Sequence, residues 1–252
     1  MAEHKQTDHS HCSNAWRDWL ATLGGYLHQE LGLLLALLIA VGGVWVFLEI
    51  ADEVVEGERQ VWDSWVIASM REQGEPSDPI GPPELEQVAI DITALGGWAV
   101  LTLLTVLVVG LLLLIKRYGR ALMVLFAVLG GVGLSQGLKS AFDRPRPDVV
   151  PHLAEVSTAS FPSGHSMLSA AVYLTLGALL AQMVHRRRLK LYYLGSALFL
   201  TGLVGLTRVF LGVHYPSDVI AGWTLGLAWA AFVWVAASLY NRWRKRHRLR
   251  AV

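Results

Sequence analysis

Six apolar runs, each close to the length of a bilayer crossing, leave few folds open to this chain. A hydrocarbon core of about 30 Å takes roughly 20 apolar residues per helix. The runs fall at about Leu31–Ile50, Gly97–Ile115, Ala121–Leu138, Met167–Val184, Leu191–Phe210 and Val219–Leu239. Backbone polar groups have no water partner at that depth, so each run is expected to form a helix that satisfies its own hydrogen bonds. The expected fold class is therefore all-α: one polytopic domain over residues 1–252 with six transmembrane helices. Only 16% of the 252 residues are charged, against about 25% in a soluble domain, which agrees. The first run fills a whole span, so it reads as a retained helix rather than a cleaved leader. Cys12 is the only cysteine, which excludes an internal disulfide.

Lysine and arginine in the connections give the orientation. Lys116, Arg117 and Arg120 follow the second run, Arg186, Arg187, Arg188 and Lys190 follow the fourth, and residues 240–252 form a basic tail. All three alternate onto one side, read as the cytoplasm, and both termini are expected there. The opposite side receives the loop 51–96, with ten acids between Asp52 and Glu86, and the connections near 139–166 and 208–218. The expected location is a cell inner (plasma) membrane, with those connections on the periplasmic or extracytoplasmic side.

Residues 1–30 make a polar and interfacial segment. Ser13 is placed to cap a helix whose Trp16, Trp19, Leu20 and Leu23 share a face. Ahead of it, His4, His9, His11 and Cys12 read either as a weak metal group or as a polar tail. In the outer loop, Val61, Trp62, Trp65, Val66, Ser69 and Met70 recur at near-helical spacing, suited either to the membrane interface or to packing on the bundle. EPSDPIGPPE, residues 75–84, reads as a turn-rich hinge. Gly222 and Gly226, and Ala197, Thr201 and Gly205, provide small-residue faces for close helix packing within the bundle or for a homo-oligomer.

Three polar clusters meet on the outer side. Lys139, Arg144 and Arg146 stand where the topology rule leaves few cations; single charges there are ordinarily snorkelling anchors, but a cluster asks for more. FPSGHS, residues 161–166, opens the fourth span. Ser163 can cap that helix, Gly164 permits close backbone approach, and the exposed amides favour an anion, with His165 at the rim. TRVFLGVHYPSD, residues 207–218, sets Asp218 one helical turn beyond His214. A carboxylate holding one ring nitrogen leaves the other free to attack or to take a proton, although taken alone the pair reads rather as a surface hydrogen bond that fixes the helix start. Two histidines and an aspartate suit zinc in type, yet Lys139, Arg146 and Arg208 would repel a cation. Permanent positive charge with backbone donors suits phosphate instead, which points to metal-free phosphoryl transfer.

In order and spacing, Lys139 with Arg146-Pro147, then Pro162-Ser163-Gly164-His165, then Arg208 with His214 and Asp218 resemble the three-part signature of the type 2 phosphatidic acid phosphatase superfamily. The motifs cover residues 139–218, and the six-span layout extends the likeness over nearly the whole chain. Thr207 departs from the pattern, which usually has serine there; both side chains carry a hydroxyl. The resemblance implies that His214 attacks phosphorus to form a phosphohistidine, oriented by Asp218. It implies that His165 protonates the leaving oxygen and then activates water. Lys139, Arg146, Arg208, the Ser163 hydroxyl and the Gly164 amide would hold the phosphate. Arg144 falls outside the matched positions and is read as a solvated charge in preference to a contact with a second phosphate.

The implied protein is a metal-independent lipid phosphatase with no cofactor, no metal and no nucleic-acid partner. Its substrate would be a phosphorylated membrane lipid: phosphatidylglycerol phosphate, phosphatidic acid or undecaprenyl diphosphate. Lipid phosphotransferases would use the same site, and a non-catalytic phosphate-binding transporter or scaffold is the alternative of another class. Vanadium-dependent haloperoxidases share the signature but are soluble.

Overall fold

The computed structural model describes residues 12–57, 60–154 and 158–250, with side chains from Glu30 onward in the first helix. His4, His9 and His11, and the side chains of Cys12, Trp16, Trp19, Leu20 and Leu23, lie outside the described residues.

Among the described residues eight helices follow in order: α1 (Cys12–Glu56), α2 (Gln60–Ala68), α3 (Glu84–Ala94), α4 (Trp98–Leu114), α5 (Tyr118–Phe142), α6 (Gly164–Met183), α7 (Arg187–Phe210) and α8 (Pro216–Arg250). Five of them are long and apolar enough to cross a bilayer, and α3 with α4, bent by 42°, make a sixth as a broken span. The protein is thus an all-α, multi-pass membrane protein. Two details depart from the sequence expectation. Ser13 stands inside α1 rather than before it, because the backbone is already helical at Cys12. The turn-rich stretch after α2 is a small antiparallel hairpin, β1 (Arg71–Glu72) with β2 (Glu75–Pro79), turning at Gly74 with φ +87°. A glycine is favoured there because it carries no Cβ to clash in the left-handed region.

The second span is the single helix expected at Gly97–Ile115, formed as α4, and the difference lies ahead of it, where the loop 51–96 ends in the helix α3. The chain breaks at Leu95–Gly97, and the Tyr173 hydroxyl on α6 donates to the Leu95 carbonyl at 2.6 Å. A Cβ on Gly96 would lie 2.4 Å from Val204 Cγ1 and 3.2 Å from the His165 carbonyl oxygen. Glycine lets the bend press directly onto the start of α6.

Helix α6 is the centre of the bundle and packs against α5, α7 and α8. Its close approach to α8 rests on Gly222 and Gly226: Cβ atoms there would stand 2.7 Å from the Ser163 carbonyl and 2.4 Å from the Met167 carbonyl. Gly205 accommodates the Trp223 ring in the same way. Phe161 is buried against Phe47 of α1 and Phe142 of α5, with ring centroids at 5.7 and 5.0 Å. That aromatic contact fixes the chain just ahead of α6. Away from the core, α1, α4, α5 and α7 turn leucine, valine and phenylalanine side chains outward, as a bilayer requires.

Candidate functional site

Helix α5 ends at Asp143, whose φ of +41° turns the chain out of the helix while its N–H donates to the Lys139 carbonyl. Pro145 and Pro147 then keep the backbone extended. Alternate side chains of an extended segment share a side, so Arg144 and Arg146 both turn inward while Asp143 and Pro145 stay exposed. Lys139, itself buried, donates to the Ala159 carbonyl at 2.6 Å and to Thr158 Oγ1 at 3.1 Å. Arg146 donates through Nε to the Thr158 carbonyl at 2.8 Å and through Nη1 to the Val213 carbonyl at 2.6 Å. The two cations therefore clamp the returning strand of chain at 158–160 against the approach to α8.

Ser163 caps α6 as expected: its Oγ accepts from the Ser166 amide at 3.4 Å and from the Ser166 hydroxyl at 2.9 Å. The Ser163 N–H donates to the Asp218 carbonyl at 3.0 Å, so the first turns of α6 and α8 are tied backbone to backbone. Lys139 Cε and Ser135 Oγ would lie 3.4 Å from a Cβ on Gly164, which places the lysine stem over that glycine.

Between α7 and α8 the chain turns at Gly212, φ +70°, and delivers His214 into the interior. Asp218, in the first turn of α8, brings Oδ2 to 3.5 Å from His214 Nδ1. The same Oδ2 accepts from the Tyr215 amide at 2.9 Å and from the Ser160 hydroxyl at 2.5 Å. On the opposite edge of the ring, Nε2 faces Arg146 Nη1 at 3.3 Å. Nδ1 thus carries the proton toward the carboxylate, and the Nε2 lone pair points at a guanidinium. Burial pushes the His214 imidazole down to about 3 against the opposing pull of Asp218, so the ring is neutral near pH 7.

Arg208, near the end of α7, is buried and donates to Thr93 Oγ1 of α3 at 3.3 Å, while its Nε has no hydrogen-bond partner among the described residues. His165 stands at the start of α6 with Gly96 packed against its backbone. Every residue proposed for the site is brought to one end of the bundle. The far end gathers Lys116, Arg117, Arg120 and Arg244 around a single cavity.

Arg144 corrects the sequence reading. It is not a solvated charge: its side chain is only 11% exposed, with Nη1 2.6 Å from Asp218 Oδ1 and Nη2 2.9 Å from Asp63 Oδ2. Burial alone would lower its pKa, and the two carboxylates more than reverse that. Sequence reasoning does not find Asp63, Ser160 or Thr93. Asp63 has one signal, an acid one turn before Ile67 in an otherwise apolar helical stretch. The face turned inward by α2 is Asp63, Val66 and Ile67, with Met70 just past the helix packed on the same cluster, while Val61, Trp62 and Trp65 stay exposed. Among the described residues, no group of three His, Cys, Asp or Glu side chains converges as a metal set.

The profile of the PAP2 superfamily matches residues 120–242, which enclose all three clusters. Phosphatidylglycerophosphatase B of Bacillus subtilis is 35% identical over 152 residues, covering 59% of this chain and 73% of that protein. The lipid A 1-phosphatase of Rhizobium etli is 35% identical over 118 residues, 43% of this chain and 45% of its own length. Among solved structures, the transmembrane PAP2-type phosphatidylglycerolphosphate phosphatase from Bacillus subtilis superposes with a TM-score of 0.70 at 30% identity. That match covers 78% of this chain and 94% of the other.

Proposed function

The chain belongs to the PAP2 superfamily and is a membrane lipid phosphatase, and from that premise we propose that it hydrolyses its substrate through a phosphohistidine at His214, without a metal. The observation that carries the proposal is the His214 ring itself. Asp218 lies behind Nδ1, Arg146 lies before Nε2, and the buried Arg208 keeps, among the described residues, an unpartnered Nε on the same end of the bundle. A neutral imidazole is a competent nucleophile only if the proton on its far nitrogen has an acceptor as positive charge develops, and Asp218 supplies one.

In the first step His214 Nε2 attacks phosphorus, the bond to the leaving oxygen breaks, and His165 protonates that oxygen. In the second, His165 removes a proton from water, which attacks the phosphohistidine, and phosphate leaves. Lys139, Arg146 and Arg208, with the Ser163 hydroxyl and the Gly164 amide at the N-terminus of α6, hold the oxygens on which charge accumulates. The Ser163 hydroxyl accepts from Ser166 and so retains its own proton to donate.

The substrate is a phosphorylated lipid whose tail stays in the bilayer. Likeness in sequence and in structure to phosphatidylglycerophosphate phosphatase of Bacillus subtilis favours phosphatidylglycerol phosphate, ahead of phosphatidic acid and undecaprenyl diphosphate. The basic connections at the far end favour a cytoplasmic position for that end and an outer-face position for the site. The test is phosphate release by the purified protein in detergent with excess EDTA, across those three lipids, beside His214→Ala. Release that survives chelation and disappears in the variant is expected. Release that requires a divalent metal would overturn the metal-free mechanism, and transfer to an added alcohol in place of water would make the protein a phosphotransferase.

A further inference from the structure

Helix α2 of the outer loop reaches the site with one side chain. Asp63 is fully buried, and its Oδ1 accepts the Ser217 amide at 2.9 Å. Its Oδ2 accepts the Ser217 hydroxyl at 2.5 Å and Arg144 Nη2 at 2.9 Å. Ile67, one turn further, is buried with Val150, Val209, Tyr215 and Val219 and sets how deeply α2 sits.

A buried carboxylate is a costly anchor. A leucine in its place would dock α2 more cheaply, because removing a carboxylate from water costs several kcal/mol unless its partners are well placed. What the charge does is visible in Arg144, which sits 4.3 Å over the Tyr215 ring and divides its guanidinium between Asp63 and Asp218. Paired with Asp218 alone, Arg144 would neutralise the carboxylate that must face a developing imidazolium. With Asp63 present, the three groups together carry one net negative charge, and that charge is presented to His214.

We propose that Asp63 is a positioning residue for the reaction: by sharing Arg144 and holding Ser217 at the start of α8, it keeps Asp218 in place and fully anionic behind His214. The outer loop is then part of the catalytic apparatus rather than a cover over it. This rests on the phosphohistidine reading above.

The experiment compares the full-length protein in detergent with Asp63→Asn, Arg144→Gln and the double variant, reading kcat, KM and thermal unfolding. The amide introduced by Asp63→Asn still accepts from Ser217 but presents no charge to Arg144. The expected result is a kcat lower by about tenfold or more, the size seen when a hydrogen-bonded partner one shell out is removed, with KM unchanged. The double variant is expected to lose no more than the worse single variant, since Asp63 acts through Arg144. Wild-type kcat in Asp63→Asn, or a double loss equal to the product of the single losses, overturns the role of Asp63. Asp63→Leu/Arg144→Met replaces the ion pair by apolar side chains but leaves Asp218 without Arg144 and the Ser217 amide without its acceptor, so its kcat is read beside its thermal unfolding; it too is expected to lose kcat, and wild-type turnover in it contradicts the proposal. A wild-type protein that releases no phosphate from any of the three lipids would instead overturn the phosphatase reading, and the role of Asp63 with it.

Discussion

Gly222 packs against the carbonyl of Ser163 so closely that a Cβ at position 222 would lie 2.7 Å from that oxygen. The contact sets the distance between two helix starts, one bearing His165 and the other Asp218. Both ends of the proposed reaction therefore depend on a side chain that is absent.

Gly222→Ala is expected to force α8 away from α6, at a cost of about 1–3 kcal/mol in stability. The shift displaces Asp218 relative to His165, and misplacement near 1 Å costs about 10²-fold in rate. Gly202→Ala is the control, because no atom lies within 4 Å of a Cβ there. Phosphate release and thermal unfolding should fall in the first variant and hold in the second.

Arg146→Lys is expected to lower kcat/KM by about 10- to 100-fold, or about 1.4–2.7 kcal/mol in transition-state stabilisation. Arg146 spans the Thr158 and Val213 carbonyls with two different nitrogens while a third contact faces His214. A single ammonium cannot reproduce that fork. Unchanged size-exclusion behaviour beside the lost activity locates the defect in the site; full activity in the lysine variant removes Arg146 from it.

The three motif clusters are legible in the sequence because each is short and rich in residues with few structural uses in an apolar chain. Lys139, Arg146, His165, His214 and Asp218 stand out within a few positions of a span end. The supporting residues are hidden for a geometric reason. Asp63 meets Arg144 across 81 residues and Ser217 across 154, and nothing local to VWDSWVIA reveals either partner. Ser160 and Thr93 each contribute one hydroxyl, a group too common to single out. The second span starts where the sequence places it, at Gly97, but the helix α3 and the bend that joins it to α4 are not legible, because that bend is stabilised by Tyr173 and by the room Gly96 leaves beside His165. Arg144 reads as solvated because its neighbour in the sequence, Pro145, says nothing about the two carboxylates that claim it.

His214 makes stability depend on pH. Its pKa lies near about 3 when buried and near 6.5 in an unfolded chain, so below 6.5 the unfolded state takes up the proton first. Stability from this group is complete above about pH 6.5 and falls as pH drops toward 3, by at most about 1.4 kcal/mol per pH unit. Thermal unfolding in detergent between pH 7.5 and 5 should show a steeper decline for the wild type than for His214→Asn. Parallel profiles would mean that His214 is not held neutral in the fold.

The covalent intermediate is the step on which the proposed reaction turns. Protein mixed with phosphatidylglycerol phosphate in EDTA, quenched in alkali within the first turnover and digested for mass spectrometry, should carry a phosphoryl group on His214. The adduct should be absent from His214→Ala. Turnover that leaves no histidine phosphorylated, with phosphate release undiminished in His214→Ala, would contradict the mechanism.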